Sequence, residues 1–234
     1  MNNLWIFGDS FSAPFKNLTL WNWFKKYLAF LNTDRFNTWQ EILAKNLNLK
    51  LVELGEAGIS NSEIFDRFAA NCNRFKDEDT VIINWTLTER FRVPAERDNK
   101  FVNLIPAHLK KTDYENCYFS FDDIQKIAVS RMHMLYQIEI NNWANLINEF
   151  CKLKNIKVVF WGLTATQPYY DFDIPEQERV ELKLRILDHQ VGHEDHHFSV
   201  YGHEYVANRI TSILENYKKK STDLFIERDS PRKN

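Results

Sequence analysis

A serine, a histidine and two carboxylates occur in two short segments near opposite ends of this chain. Ser10 closes a Gly-Asp-Ser tripeptide, and His197 lies two residues after Asp195 and three after Glu194. A serine hydroxyl alone is a poor nucleophile, so it needs a base within hydrogen-bond reach, and that base needs an orienting group. If the fold brings residues of these types together, they could perform nucleophilic acyl chemistry.

The segment around His197 is rich in histidine, which raises the question of a metal site. Imidazole and carboxylate groups are the usual zinc ligands, and five of the seven histidines lie within positions 189–203: His189, His193, His196, His197 and His203. Their spacing matches no standard helix-borne ligand motif, so we expect no metal and no cofactor. His203 is expected to pack at the start of the last helix.

Four apolar runs, and the stretches between them, predict the elements that must position these side chains. The runs are typical of buried strands, and they are Leu4–Gly8, Leu49–Leu54, Thr80–Trp85 and Ile156–Gly162. Helical periodicity is found in Trp39 to Leu47, Ile64 to Phe75, Met132 to Leu153 and Val200 to Tyr217, the last with Ser199 as N-cap. This alternation predicts an α/β fold, a three-layer α/β/α sandwich with a central, mostly parallel, doubly wound (flavodoxin-like) sheet.

Ligands of a doubly wound sheet bind at the carboxyl ends of its strands, so the residues that follow each strand matter most. Gly8 after the first strand allows a sharp turn that presents the Ser10 hydroxyl, and Asp9 is expected to accept backbone hydrogen bonds there. Gly55 and Gly58 follow the second strand. The predicted site therefore lies where these strand ends meet.

Two stretches interrupt the alternation of strands and helices. They cover about 13–38, which is rich in aromatic residues and lysine, and about 88–126, which is polar with scattered Phe and Tyr. We interpret them as insertions in one domain of residues 1–217, either as walls or a lid over a site or as surface decoration. Residues 218–234 are interpreted as a charged, solvated tail.

The order of these blocks resembles that of the SGNH hydrolases, also called GDSL-type esterases and lipases, over nearly the whole chain. The tripeptide that ends at Ser10 matches their first block, and Gly58 resembles the glycine of their second. Asp195 or Glu194, with His197, resembles their last block. By this resemblance Ser10 is the nucleophile and His197 the base. Asp195 is favoured as the acid that orients the imidazole, with Glu194 as the alternative.

The third block departs from the pattern of that family. The family usually has a Gly-x-Asn-Asp loop, whereas the third strand here ends in Asn84-Trp85-Thr86. Asn84 could be the oxyanion asparagine, or Thr86 could occupy its place. The resemblance implies an oxyanion hole made by the backbone N–H groups of Ser10 and Gly58, with the Asn84 amide as a third donor.

Four further residues follow the third and fourth strands on the side where the site is expected: Trp85, Arg90, Tyr169 and Tyr170. Aromatic faces beside an arginine would suit a sugar or another flat, polar ligand. The alternative interpretation is that these side chains pack in the core or under a lid.

Composition narrows the class of protein. With 30 basic and 32 acidic residues and a net charge of −2, the chain lacks the basic footprint of a nucleic-acid-binding protein. No apolar run approaches the roughly 18–20 residues of a membrane span, and no signal peptide is visible. We therefore expect a cytoplasmic protein, although a virion component would have the same features. The cysteines are expected to be reduced: Cys72, Cys117 and Cys151.

These features predict a serine esterase. Its substrate would be a small-molecule or glycan O-acyl ester, such as an O-acetyl carbohydrate, and the reaction would pass through an acyl-enzyme. An O-acyltransferase with the same triad would pass the acyl group to a sugar hydroxyl in place of water. A third alternative is a non-catalytic module that keeps the fold to bind carbohydrate or protein. The sequence leaves the oligomeric state open.

Overall fold

The centre of the fold is a parallel β-sheet. The computed structural model describes residues 1–86, 90–94, 101–104, 119–130, 134–162, 172–173 and 198–228. The strands in this part of the chain are β1 Asn3–Phe7, β2 Lys50–Glu53, β3 Thr80–Trp85, β4 Phe91–Pro94, β5 Phe101–Leu104, β6 Lys157–Gly162 and β7 Phe172–Asp173. Five of them form one sheet in the order β2-β1-β3-β6-β7, with every neighbouring pair parallel. β4 and β5 form a separate antiparallel hairpin.

Helices cover both faces of this sheet. They are α1 Phe15–Leu18, α2 Asn22–Phe30, α3 Trp39–Leu47, α4 Asn61–Asn71, α5 Phe121–Ser130, α6 Met134–Leu153 and α7 Val200–Arg228. Side chains alternate along a strand, so Phe7 and Ile83 pack with α4 and α6, whereas Ile6 and Ile82 pack with α3 and α7. The predicted α/β class is confirmed. The four predicted strands correspond to β1, β2, β3 and β6, with each end within one residue.

A buried carboxylate sets the register of β1 against β3. Asp79, directly before β3, accepts hydrogen bonds from the Asn3 backbone N–H at 2.7 Å and from Trp5 Nε1 at 2.8 Å. Burial acts to raise the pKa of this carboxyl, but the hydrogen bonds outweigh it and hold the pKa below its usual range. Because this end of the sheet is fixed, Phe7 lies opposite Ile83, and the two strands end side by side.

Both predicted insertions form apolar interiors of their own. In the first, α1 and α2 bury Leu18, Phe24 and Leu28, and the Tyr27 hydroxyl of α2 accepts from the Val200 backbone N–H at the start of α7. In the second, the β4–β5 hairpin and α5 bury a separate cluster: Phe91, Val93, Leu104 and Ile124.

The last helix differs from the prediction at its end. Its start is confirmed, because the Ser199 hydroxyl accepts from the Gly202 backbone N–H at 3.2 Å as an N-cap does. It continues to Arg228 rather than ending near Tyr217, so most of the predicted solvated tail is helical. No helix among the described residues has a stretch long and apolar enough to cross a bilayer.

Candidate active site

The turn after β1 carries Ser10. Residues Ser10–Ser12 form a single 3₁₀ turn at the carboxyl edge of the sheet. Asp9 caps this turn, since its Oδ1 accepts from the Phe11 backbone N–H at 3.1 Å, as expected from the sequence. Ser10 is partly exposed, and within the described part of the chain its hydroxyl has no hydrogen-bond partner. The turn therefore presents the Ser10 hydroxyl at the sheet edge.

The loop after β2 packs directly against this turn. The Glu56 backbone N–H donates to the Gly8 carbonyl at 3.0 Å. Gly55 lies so close to the turn that a Cβ atom on it would be 2.1 Å from the Ser12 carbonyl oxygen. Only glycine allows the backbones of the two loops to approach this closely.

Gly58 lies at the exposed tip of the same loop. Its φ is +86°, in the region that favours glycine, and a Cβ on it would meet no atom within 4 Å. Its backbone N–H donates to none of the other described residues. The loop therefore combines a tight contact with the turn of Ser10, at Gly55, and an open N–H group three residues later.

A buried ion pair joins these two loops. Arg90 Nη1 lies 3.5 Å from Asp9 Oδ2, and both side chains are at least nine-tenths buried. The same Nη1 donates to the carbonyl of Ile59 at 3.1 Å. Asp9 precedes Ser10 and Ile59 follows Gly58, so one guanidinium contacts the neighbours of both predicted catalytic groups. We call this contact the Arg90 bridge.

Thr86 links the Arg90 bridge to the end of β3. Its hydroxyl donates to Asp9 Oδ2 at 2.6 Å. Its backbone N–H donates to Asn61 Oδ1 at 2.8 Å, and Asn61 Nδ2 donates back to the Thr86 carbonyl at 3.1 Å. The ends of β1, β2 and β3 and the first turn of α4 are therefore held in one hydrogen-bonded frame.

The buried side chain of Asn84 supports the turn that carries Ser10. It is 1 % exposed, its Oδ1 accepts from the Ser12 hydroxyl at 3.0 Å, and its Nδ2 donates to the Trp85 carbonyl at 3.4 Å. These bonds hold the amide next to the turn of Ser10, and its role as an oxyanion donor stays a prediction. Thr86, the alternative, is buried and engaged with Asp9.

The four residues predicted to bind a ligand have different positions in the structure. The Trp85 ring is 1 % exposed and stacks parallel to Phe160 at 6.2 Å between ring centroids, so it belongs to the core and offers no face to a ligand. Arg90 forms the bridge and lines a surface cleft. Tyr169 and Tyr170 lie outside the described residues.

The residues predicted from the last block also lie outside the described ranges: Glu194, Asp195 and His197. The same is true of His189, His193 and His196. His203 is described and packs at the start of α7 as expected, where its Nδ1 accepts from the Trp39 backbone N–H at 3.1 Å. Within the described residues no group of three or more His, Cys, Asp or Glu side chains could hold a metal ion.

Sequence reasoning did not identify Asn61 and Ser12, which support the frame, or the carboxyl group of Glu53. A signal existed for Asn61, which directly precedes the helical pattern of Ile64 and Phe68. Glu53 is the last residue of β2 and faces the first insertion. Burial, followed by repulsion from Glu41, raises its pKa from 4.5 to about 7.

The raised pKa of Glu53 is expected to make the folded protein less stable as pH rises. Its Oε1 has no partner among the described residues. Because its folded-state pKa is raised, the folded protein retains a proton that the unfolded chain releases, and stability falls as pH rises from 4.5 to about 7. Glu53→Gln removes this cost. The full shift corresponds to about 3 kcal/mol, and solvent screening of the partly exposed carboxyl reduces this value. We therefore expect the variant to be about 2 kcal/mol more stable than the wild type near pH 8, and equally stable near pH 4.

Urea unfolding at the two pH values measures this difference. Glu215→Gln, at an exposed position of α7, is the control and should show no such pH dependence. A Glu53→Gln variant that is less stable than the wild type at the higher pH would contradict the assignment.

Comparisons with known proteins find similarity at the level of solved structures. No family model matches the chain, and no curated protein matches it. A matching structure is that of a lipolytic protein assigned to the G-D-S-L family, from Desulfitobacterium hafniense DCB-2. The match covers 91 % of this chain and 99 % of that one, at 13 % identity and a TM-score of 0.34.

Proposed function

We propose that this protein is a serine esterase that hydrolyses a small O-acyl ester through an acyl-enzyme. The observation that carries the proposal is the Arg90 bridge, which ties the turn of Ser10 to the loop of Gly58 at the carboxyl edge of a parallel sheet. This edge is where ligands bind in doubly wound folds. The resemblance of the sequence blocks to SGNH hydrolases supports the same assignment.

The mechanism begins with attack of Ser10 Oγ on the acyl carbonyl. His197 accepts the serine proton and then gives it to the leaving alcohol, while Asp195 holds the imidazole in the required tautomer, with Glu194 as the alternative acid. The bond between the acyl carbon and the alcohol oxygen breaks, leaving the acyl group on Ser10. Water, activated by His197, then attacks this ester and releases the carboxylic acid and the free enzyme.

The oxyanion is stabilised by the backbone N–H groups of Ser10 and Gly58. The left-handed φ of Gly58 and the open space beside it support this role, because a donor for a developing charge must be unengaged in the resting enzyme. Asn84 supports the turn from below through Ser12. Arg90 acts as a positioning residue that fixes the nucleophile relative to the oxyanion donors.

A fluorophosphonate probe tests the proposal directly, because it reacts only with an activated serine. We expect the wild type to gain one label, located at Ser10 by peptide mapping, and Ser10→Ala to gain none. Ser120→Ala, at an exposed serine directly before α5, is the control and should label like the wild type. A label on another serine, or none on the wild type, would contradict the assignment.

Product analysis separates hydrolysis from transfer. Incubation of an acetyl ester with and without a sugar as acceptor should release acetate at the same rate in both cases. A new acetylated sugar formed at the expense of free acetate would identify an O-acyltransferase, and an unlabelled Ser10 would indicate a binding module.

A further inference from the structure

A surface cleft lies between the β4–β5 hairpin, the first turn of α4 and the helix α6. Its volume is about 250 Å³, and the residues that matter for its chemistry are Asn61, Arg90, Arg92, Phe101, Glu139 and Trp143. Pockets for drug-sized ligands span roughly 300–1,000 Å³. The cleft therefore has room for about one ring.

The hairpin that forms one wall is fixed to the sheet edge. Asn103 of β5 accepts from the Ser60 backbone N–H at 3.0 Å and donates to Glu63 at 2.8 Å. Arg92 of β4 pairs with Asp66 of α4. Bonds from both strands of the hairpin thus reach α4 and the residue before it, so this wall has a defined position before any ligand arrives.

The cleft is connected to the proposed nucleophile by Arg90. This side chain lines the cleft and also contacts Asp9, the residue before Ser10. Asn61, also in the lining, is bonded to Thr86, which in turn is bonded to Asp9. A group seated in the cleft would therefore contact two side chains, Arg90 and Asn61, that belong to the network holding Asp9, the residue before Ser10.

The lining combines exposed aromatic surface with hydrogen-bonding groups of both kinds. Phe101 is 56 % exposed, and the Arg92 guanidinium lies 4.7 Å from its ring centroid. Trp143 stacks on Phe65 at 5.5 Å between ring centroids and contributes to the lining. Glu139 offers a carboxylate acceptor that has no bonded partner among the described residues.

These properties fit a ring that carries several hydroxyl groups. Its C–H face can pack on aromatic side chains, and its hydroxyls can donate to Glu139 and accept from arginine. A fatty acyl chain does not fit, because burying the charged groups of Arg90, Arg92 and Glu139 against hydrocarbon would leave them without water.

We propose that this cleft binds the alcohol part of the ester, and that this part is a single sugar unit whose acylated hydroxyl reaches Ser10. The inference rests on the proposed esterase function and assigns its substrate class. The specificity of the enzyme then resides in the second insertion and α6, which form the cleft.

Acetate release from two kinds of ester tests the inference. The sugar substrates are O-acetylated methyl glycosides of glucose, galactose and xylose, and ethyl acetate is the reference without a ring. We expect the wild type to prefer at least one glycoside in kcat/KM, and Phe101→Ala or Glu139→Gln to reduce this preference about tenfold, mainly through KM. Leu146→Ala, at an exposed position of α6 outside the cleft, should keep the wild-type preference.

The outcomes separate this inference from the esterase function. If ethyl acetate is hydrolysed and Ser10 is labelled, but no glycoside is preferred or the cleft variants keep the preference, the cleft assignment is overturned while the esterase stands. Binding of the non-acetylated methyl glycosides to Ser10→Ala, followed by ligand-observed NMR, is a second readout that needs no catalysis. Binding lost in Phe101→Ala would support the sugar site even if Ser10 proved inactive, and absence of binding for all three would overturn it.

Discussion

Replacing Ser10 with alanine is expected to lower kcat for p-nitrophenyl acetate by about 10⁴-fold or more. In the proposed mechanism Ser10 supplies the oxygen that forms the acyl-enzyme, and alanine has no atom that can replace it. The residual rate would come from the two N–H groups of the oxyanion hole acting on direct attack by water. The turn should survive, because its bonds are made by Asp9 and by the backbone of Phe11 and Ser12.

His197→Ala is expected to cause a comparable loss, since residues of a triad act as a unit and their effects do not add. The acid can be identified at the same time. Asp195→Ala should lower kcat far more than Glu194→Ala, and the reverse result would assign the role to Glu194. Steady-state kinetics near neutral pH measures all four variants, and activity that persists in both Ser10→Ala and His197→Ala would exclude the triad.

The four predicted strands of the sheet could be found in the sequence because each is a short, mainly apolar run and these runs alternate with stretches of helical periodicity. The positions of Ser10 and Gly58 at the sheet edge followed from glycines at the strand ends. Trp85 could have been placed correctly too. It has the same parity in β3 as Val81 and Ile83, and strand alternation puts all three on the face that packs with α4 and α6.

The frame beneath Ser10 could not be predicted in this way. Asp9 and Arg90 are 81 positions apart in the sequence, and nothing local to either indicates the other. Their pairing depends on where the second insertion folds back over the strand ends, which is a property of tertiary packing. The same holds for the hydrogen bond between Ser12 and Asn84, which are 72 positions apart in the sequence.

The length of α7 could have been predicted from the absence of helix-breaking residues, but the basic residues after Tyr217 were given more weight. Basic residues after Tyr217 suggested a solvated tail, yet the segment up to Arg228 contains no glycine or proline. Lysine, leucine and glutamate are good helix formers, and the first helix-breaking residue is Pro231. The charge of its side chains determines whether a helix face is solvated, whereas helix-breaking residues such as proline determine where the helix must end.

The second large prediction concerns the Arg90 bridge, which in the proposed mechanism fixes the position of Ser10 relative to the Gly58 N–H. In Arg90→Ala the Asp9 carboxylate keeps its bonds to Phe11 and Thr86 but loses its link to Ile59. The two loops can then move apart. Misplacement of about 1 Å in a catalytic arrangement can cost roughly 10²-fold in rate.

We therefore expect Arg90→Ala to lower kcat for p-nitrophenyl acetate by roughly 10–100-fold with little change in KM. Arg74→Ala, at an exposed arginine after α4, is the control and should retain the wild-type kcat. If Arg90 acts through Asp9, its loss should cost less in an Asp9→Asn background, so that a double-mutant cycle shows coupling. Urea unfolding of each variant separates this effect from general destabilisation. An Arg90→Ala protein that loses stability but keeps kcat would show that the bridge only holds the fold, whereas a lower kcat in a fully folded variant places it in control of the site.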